Sequence, residues 1–278
     1  MKKFVLPAVL LLLCVVLLCF LGRRADGGSA APSEPDVPTV SVDSPDRYPQ
    51  LIAHAGGAVY GYRLTNSLEA LDQAYQNGFR YIELDLELTS DAQIVLIHDW
   101  EGSAQRLLGS AGRRTLESFS SAPVMAGLHL LTLDQLLDWL SAHPDCSIIT
   151  DTKSEDNRSL LEQLMNRAGG QASAFIPQTF SYEEFQQVRS LGFDRVILSL
   201  YKMSIDPAAL TQFAQDSQPW AVTIPAEAME QTLLTSLSQS GISVYAHTVD
   251  SVDFFDQWSS MGLTGLYTNY FSPARWLY

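Results

Sequence analysis

Two carboxylates two residues apart, Glu83 and Asp85, lie a short way before a histidine, His98, in the segment YIELDLELTSDAQIVLIHDW at residues 81–100. Carboxylate oxygens so spaced suit a hard divalent cation, and an imidazole beside them supplies an acid or a base. Strand alternation puts Tyr81, Glu83, Asp85 and Glu87 on one face and Ile82, Leu84, Leu86 and Leu88 on the other, so one face packs while the other carries the chemistry. Thr89-Ser90-Asp91-Ala92 has turn composition, and residues 93–98 read as a returning strand. A connection this short cannot hold the crossover that parallel strands require, so the pair is expected to be antiparallel. With Ser90-Asp91 as a two-residue loop, His98 lies across from Glu83 on the same face; a slip of one residue undoes that pairing.

Further groups of the same kind stand at the ends of other apolar runs: His54 in IAHAGG, and Asp151 and Lys153 in Asp151-Thr152-Lys153. The elements that must position them are strands alternating with helices. Strands are predicted at residues 51–54, 81–86, 147–151, 175–179, 195–200, 220–224, 243–249 and 265–269, with the His98 strand as an extra. Helices are predicted at 66–77, 132–143, 155–168, 182–191, 207–215, 226–240 and 252–261; Leu133, Leu136, Leu137 and Leu140 form the apolar stripe of the second. This α/β pattern fits a (β/α)₈ TIM-type barrel with an added hairpin strand. A doubly wound sheet is the alternative, but no glycine-rich phosphate fingerprint follows the first strand. In such a barrel function gathers at the C-terminal strand ends, so two histidines, three carboxylates and a lysine are expected on one rim.

The formal net charge of −14 disfavours a nucleic-acid partner and means that an anionic substrate needs a local cation. Of three cysteines, Cys14 and Cys19 fall in the N-terminal apolar run, leaving Cys146 alone, without a disulfide framework or a cysteine zinc site. Lys2-Lys3, an uncharged run at residues 4–22 and Arg23-Arg24 make residues 1–24 an expected transmembrane signal anchor, although Ser29-Ala30-Ala31 offers a cleavage site. Residues 25–47, rich in Pro, Ser, Gly and Asp, read as a flexible tether to a domain at 48–278. The expectation is a single-pass protein of the cell membrane with its barrel outside the cytoplasm.

The ordered motifs Ile52-Ala53-His54-Ala55-Gly56-Gly57, Asn66-Ser67-Leu68-Glu69-Ala70, Ile82-Glu83-Leu84-Asp85-Leu86, Val95-Leu96-Ile97-His98-Asp99 and Asp151-Thr152-Lys153 resemble those of glycerophosphodiester phosphodiesterases. Leu131-Thr132-Leu133-Asp134, Thr248-Val249-Asp250 and Tyr267-Thr268-Asn269 fall in the same order. The resemblance extends more loosely to phosphatidylinositol-specific phospholipase C barrels. It implies a metal-assisted phosphodiester hydrolase acting on glycerophosphodiesters or related lipid-headgroup phosphodiesters. Glu83, Asp85 and Asp151 would match the metal ligands, with Ca²⁺ or Mg²⁺ as the cofactor and Asp151 where the family usually has glutamate. His54 and His98 would match the acid and base, and Lys153 the phosphate contact. The family's arginine after the first histidine is Ala55 here, and the glutamate before the asparagine of the second motif is Thr65. Arg63, on the loop that leaves the first strand, is a candidate substitute for the missing guanidinium; His247 stands where the family often has tryptophan, making that wall of the pocket more polar. With Ala55 in place, a barrel that binds phosphate or metal without turnover is the rival reading, and a phosphatidylinositol-type phospholipase C is a second.

Overall fold

Short strands whose outward faces are apolar, alternating with helices that cover them, close here into a barrel. The computed structural model describes residues 50–152 and 157–276. Its barrel strands are β1 (Leu51–Ala53), β2 (Tyr81–Leu88), β4 (Ser147–Thr152), β5 (Phe175–Thr179), β6 (Ile197–Ser199), β7 (Ala221–Pro225), β8 (Val244–His247) and β9 (Gly265–Thr268). They pair in parallel around the ring in the order β1-β9-β8-β7-β6-β5-β4-β2, and Ala53 opposite Ile82 closes it from β1 to β2. This is the predicted TIM-type fold, with helices α1 (Leu68–Gln76), α4 (Leu133–Ala142), α5 (Asn157–Ala168), α6 (Tyr182–Ser190), α7 (Pro207–Ser217), α8 (Gln231–Gln239) and α9 (Val252–Ser259) packed around it. The predicted helix at 226–240 begins later, at Gln231.

The interior is layered. Tyr81, Trp220 and Tyr245 stack in sequence at the end where the strands begin, with centroid separations of 5.6 and 6.1 Å. Ile52, Ile149, Ile176, Ile197 and Ala221 fill the middle. Two residues further along, the same inward positions become polar: Asp151, Gln178, Ser199, Thr223 and His247. Parity alone carries each strand from packing to chemistry in one step.

The ninth strand, β3 (Ile94–Leu96), pairs antiparallel with the end of β2, as predicted, on the edge that the short β1 leaves uncovered. The predicted register is corrected by one residue: Leu86 faces Leu96, Glu87 faces Val95 and Leu88 faces Ile94. Ser90, Asp91 and Ala92 form a three-residue loop, with Ala92 at φ 58° in the left-handed region that such loops use. The Ile97 N–H donates to the Asp85 carbonyl at 3.2 Å, and His98 follows beyond the ladder, so it is not paired with Glu83.

Between β3 and α4 lies an insertion with two short helices, α2 (Gly102–Leu108) and α3 (Leu116–Ser120), that the sequence reading did not place. It has its own apolar cluster, in which Trp100, Ala104, Leu107, Phe119 and Leu128 pack with Val95 and Ile97. A last helix, α10 (Pro273–Trp276), follows β9. No helix among the described residues is long and apolar enough to cross a membrane; the predicted anchor at 1–24 and tether at 25–47 lie outside them.

Candidate active site

Strand geometry alone assembles the acidic group. Glu83 and Asp85 alternate on the inward face of β2, and Asp151 on β4 is the direct neighbour of Asp85 across the parallel pair. One carboxylate oxygen from each of the three lies within 4.8 Å of the others, and Glu83 and Asp85 are 2% and 1% exposed. Carboxylates this close and this buried repel one another unless a cation sits among them, and three oxygen donors are the set that a hard divalent ion takes. The predicted ligands therefore fit such an ion.

Each is held from behind. The Ala55 N–H donates to Glu83 Oε2 at 2.8 Å, presented by a turn in which Ala55 and Gly56 both have left-handed φ, 49° and 78°. Gly56 is required there, since a Cβ would stand 2.8 Å from the Ala70 Cβ of α1. Asn66 makes a two-point clamp on Asp85: its Nδ2 donates to Asp85 Oδ2 at 2.8 Å and its Oδ1 accepts from the Asp85 N–H at 2.9 Å. Asn66 adopts φ 51° to do so, in a conformation that asparagine tolerates better than most residues, just ahead of the Ser67 cap of α1.

His54 belongs to a directed chain. Asn269 Nδ2 donates to Asp250 Oδ2 at 2.9 Å, which leaves Asn269 Oδ1 as the acceptor facing His54 Nδ1 at 3.0 Å. The network thus assigns the proton to His54 Nδ1 and turns Nε2 toward Glu83 Oε2, 4.0 Å away. Burial would raise the carboxyl of Asp250, but hydrogen bonds from Asn269, Thr268 and Tyr270 outweigh it and hold the group below the usual range. His98 has a parallel arrangement, its Nδ1 2.7 Å from Asp99 Oδ2. Partial burial would raise Asp99; the bonds from His98 and Ser103 instead hold it far below an ordinary carboxyl. An ionised Asp99 sets the proton on His98 Nδ1.

A small cavity of about 160 Å³ opens beside the acidic group, lined by His54, Glu83, Asp151, Gln178, Ser199, Tyr201, His247 and Tyr267. Burial, and then the nearby Glu83 and Asp151, push the Tyr267 phenol well above its normal pKa, so it stays a donor; its hydroxyl lies 3.4 Å from Gln178 Oε1. The His247 ring stands edge-on to Tyr201 and Tyr267, at 6.0 and 6.1 Å between centroids.

Residues 54–272 match the glycerophosphoryl diester phosphodiesterase family. The chain belongs to that family. A glycerophosphodiester phosphodiesterase of Bacillus subtilis (strain 168) is 25% identical over 255 residues, covering 82% of this chain and 85% of the relative. YhdW of the same strain is 26% identical over 234 residues, 79% and 94% of the two chains. Among solved structures, a glycerophosphodiester phosphodiesterase from Thermotoga maritima superposes with a TM-score of 0.66 at 19% identity, over 80% of this chain and 95% of its own. An Oleispira antarctica phosphodiesterase, solved with the product sn-glycerol-3-phosphate, gives 0.65 at 18% identity, over 80% and 93%. Both share the fold. As a member of the glycerophosphoryl diester phosphodiesterase family, the chain is a phosphoric diester hydrolase.

Within this phosphodiesterase the structure gathers His54, Glu83, Asp85, Asp151 and His247 at one end of the barrel, and sets His98 next to Ile97, the residue bonded to Asp85. Lys153 lies outside the described residues. Arg63 is exposed, just beyond a turn at Tyr60-Gly61 closed by the Val59–Tyr62 bridge, and is not among the cavity residues. Ala55, where the family's arginine would stand, is fully buried and brings no guanidinium to the site. Sequence patterning does not single out Asn66, Asp99, Gln178, Tyr201, Asp250, Tyr267 or Asn269, which the structure adds to the site and its supports. Asn66, Asp99, Asp250, Tyr267 and Asn269 sit inside the motifs quoted above; Gln178 and Tyr201 carried no local signal.

Proposed function

We propose that this hydrolase cleaves glycerophosphodiesters or related lipid-headgroup phosphodiesters by acid–base catalysis from His54 and His98, beside a divalent ion held by Glu83, Asp85 and Asp151. The observation that carries the reading is the convergence of the three carboxylates within 4.8 Å, with His54 Nε2 4.0 Å from the nearest of them. A bound Ca²⁺ or Mg²⁺ would offset the carboxylate charge and polarise a phosphoryl oxygen. The Nε2 of one imidazole takes a proton from the attacking water as its oxygen bonds to phosphorus, and the other imidazole, entering protonated, delivers its proton to the alkoxide whose bond to phosphorus breaks. Asn269 and Asp99 keep both rings aimed by fixing Nδ1. Lys153 would meet the phosphate as a point charge. Arg63 would reach it only by folding over the rim, and His247 would face the alcohol group from the cavity wall.

The test is turnover of a generic phosphodiester and of a glycerophosphodiester by the full chain, with the products identified. Release of glycerol phosphate that requires both histidines supports the reading. A cyclic phosphate product would favour the phospholipase C reading. Binding without turnover would favour the non-catalytic barrel, for which Ala55 is the supporting observation. We further propose that residues 1–24 hold the protein in the cell membrane with the barrel outside the cytoplasm, from the apolar run and its flanking charges. Protease shaving of intact cells should release a barrel-sized fragment, and a protected barrel would refute the orientation.

A further inference from the structure

Glu87 is a third carboxylate on the inward face of β2, 5% exposed, about 6.6 Å beyond Asp85 by strand rise. At that point β2 has left the barrel and pairs with β3. The face is covered: Val95 and Ile97, across from Glu87 and Asp85, pack into the apolar cluster of the insertion. The insertion therefore stands beside the mouth on the β2 side, while the cavity extends from Glu83 and Asp151 across to residues of β5, β6, β8 and β9.

From the insertion one cation reaches back into this seam. Arg113 Nη2 is 3.7 Å from Glu87 Oε2, and the arginine remains 52% exposed. The backbone on either side of it is fastened: the Gly112 N–H donates to the Trp100 carbonyl at 2.6 Å, and the Ser90 N–H of the hairpin loop donates to the Arg114 carbonyl at 2.7 Å. A guanidinium carried on so short a pinned segment is aimed, in a way that an ordinary surface arginine is not.

Charge gives that aim a consequence. Glu83, Asp85, Glu87 and Asp151 all project from inward positions, the chain carries a net −14, and the substrate is an anion. One divalent ion among the carboxylates leaves the mouth negative, so each further cation there, beside the proposed Lys153, favours an anion on its way in. A guanidinium has five donors in a fixed fork, so one edge can face Glu87 while the other meets phosphate oxygens.

We propose that Arg113, aligned by Glu87, is a phosphate-binding residue of this site and grips the phosphodiester from the insertion side. The inference rests on the hydrolase reading above. The competing explanation is that Arg113 does no more than neutralise a buried carboxylate. Glycerophosphodiester turnover and calorimetric binding of sn-glycerol 3-phosphate, measured on the full chain, separate the two. Arg113→Gln should raise KM and Kd about tenfold, the size of one charge-assisted hydrogen bond, with a smaller change in kcat. The double variant Glu87→Gln/Arg113→Gln should keep the defect, since removing the carboxylate does not restore a phosphate contact. Arg113→Lys keeps the charge, folds if Arg113→Gln does not, and should still bind more weakly than wild type for want of the fork. Wild-type KM and Kd in the double variant, or no change in Arg113→Gln, would overturn the inference and leave the hydrolase reading standing. A wild-type protein that neither binds nor turns over would overturn both.

Discussion

Asp85 is locked to Asn66 at two points, its backbone N–H and one carboxylate oxygen, while it offers an oxygen to the cluster with Glu83 and Asp151. Asn66→Ala should therefore lower divalent-ion affinity by about 10- to 100-fold, the usual cost of losing a partner behind a ligand, and Asp85→Asn should lower it further. Calorimetry reads both, and unchanged affinity in Asp85→Asn would remove Asp85 from the ligand set. Asp250 gives a pH signature. Its folded-state pKa lies below the unfolded carboxyl value of about 3.9, so the stability it contributes is complete above that value and is lost as pH falls through the lower folded one. The melting-temperature gap between wild type and Asp250→Asn should narrow on acidification through that window; a gap that widens would contradict the assignment. At this scale the sequence was legible where alternation or a motif places a side chain, as for Glu83, Asp85 and His54. It was silent on why Asn269 matters, because the bond from His54 spans 215 residues and exists only once β1 and β9 are neighbours.

Barrel strands are legible as short apolar runs, and β5 spans the predicted residues 175–179. The hairpin was read in kind but not in register. Thr89 to Ala92 suits a two- or a three-residue loop, and the choice was made by Ala92 entering the left-handed region and by Asp91 accepting a bond from the Leu116 N–H of the insertion. Neither can be seen from composition. The helices α2 and α3 went unread for a related reason: at seven and five residues they are too short to be stable alone and are held by Trp100, Phe119 and their neighbours. The turn after β1 is the element whose failure should be felt most directly at the site. Gly56→Ala adds a Cβ 2.8 Å from Ala70 at φ 78°, and should cost about 1–3 kcal/mol by denaturant unfolding while dragging the Ala55 N–H from Glu83. Wild-type stability together with wild-type metal affinity would show that the turn absorbs the change elsewhere.

Across the whole molecule, packing and function are divided along the barrel axis. Aromatic rings close one end, aliphatic side chains fill the middle, and carboxylates, histidines and tyrosines ring the other, where the insertion adds a wall on the β2 side. A −14 chain built around an acidic mouth makes cation binding the natural starting point of its chemistry. The most direct test is therefore to strip the full-length protein with a chelator and follow hydrolysis of a glycerophosphodiester. Turnover should vanish, return with Ca²⁺ or Mg²⁺, and fail to return in a His54→Ala variant whose metal affinity is unchanged. Turnover indifferent to the chelator, or full activity in His54→Ala, would contradict the account.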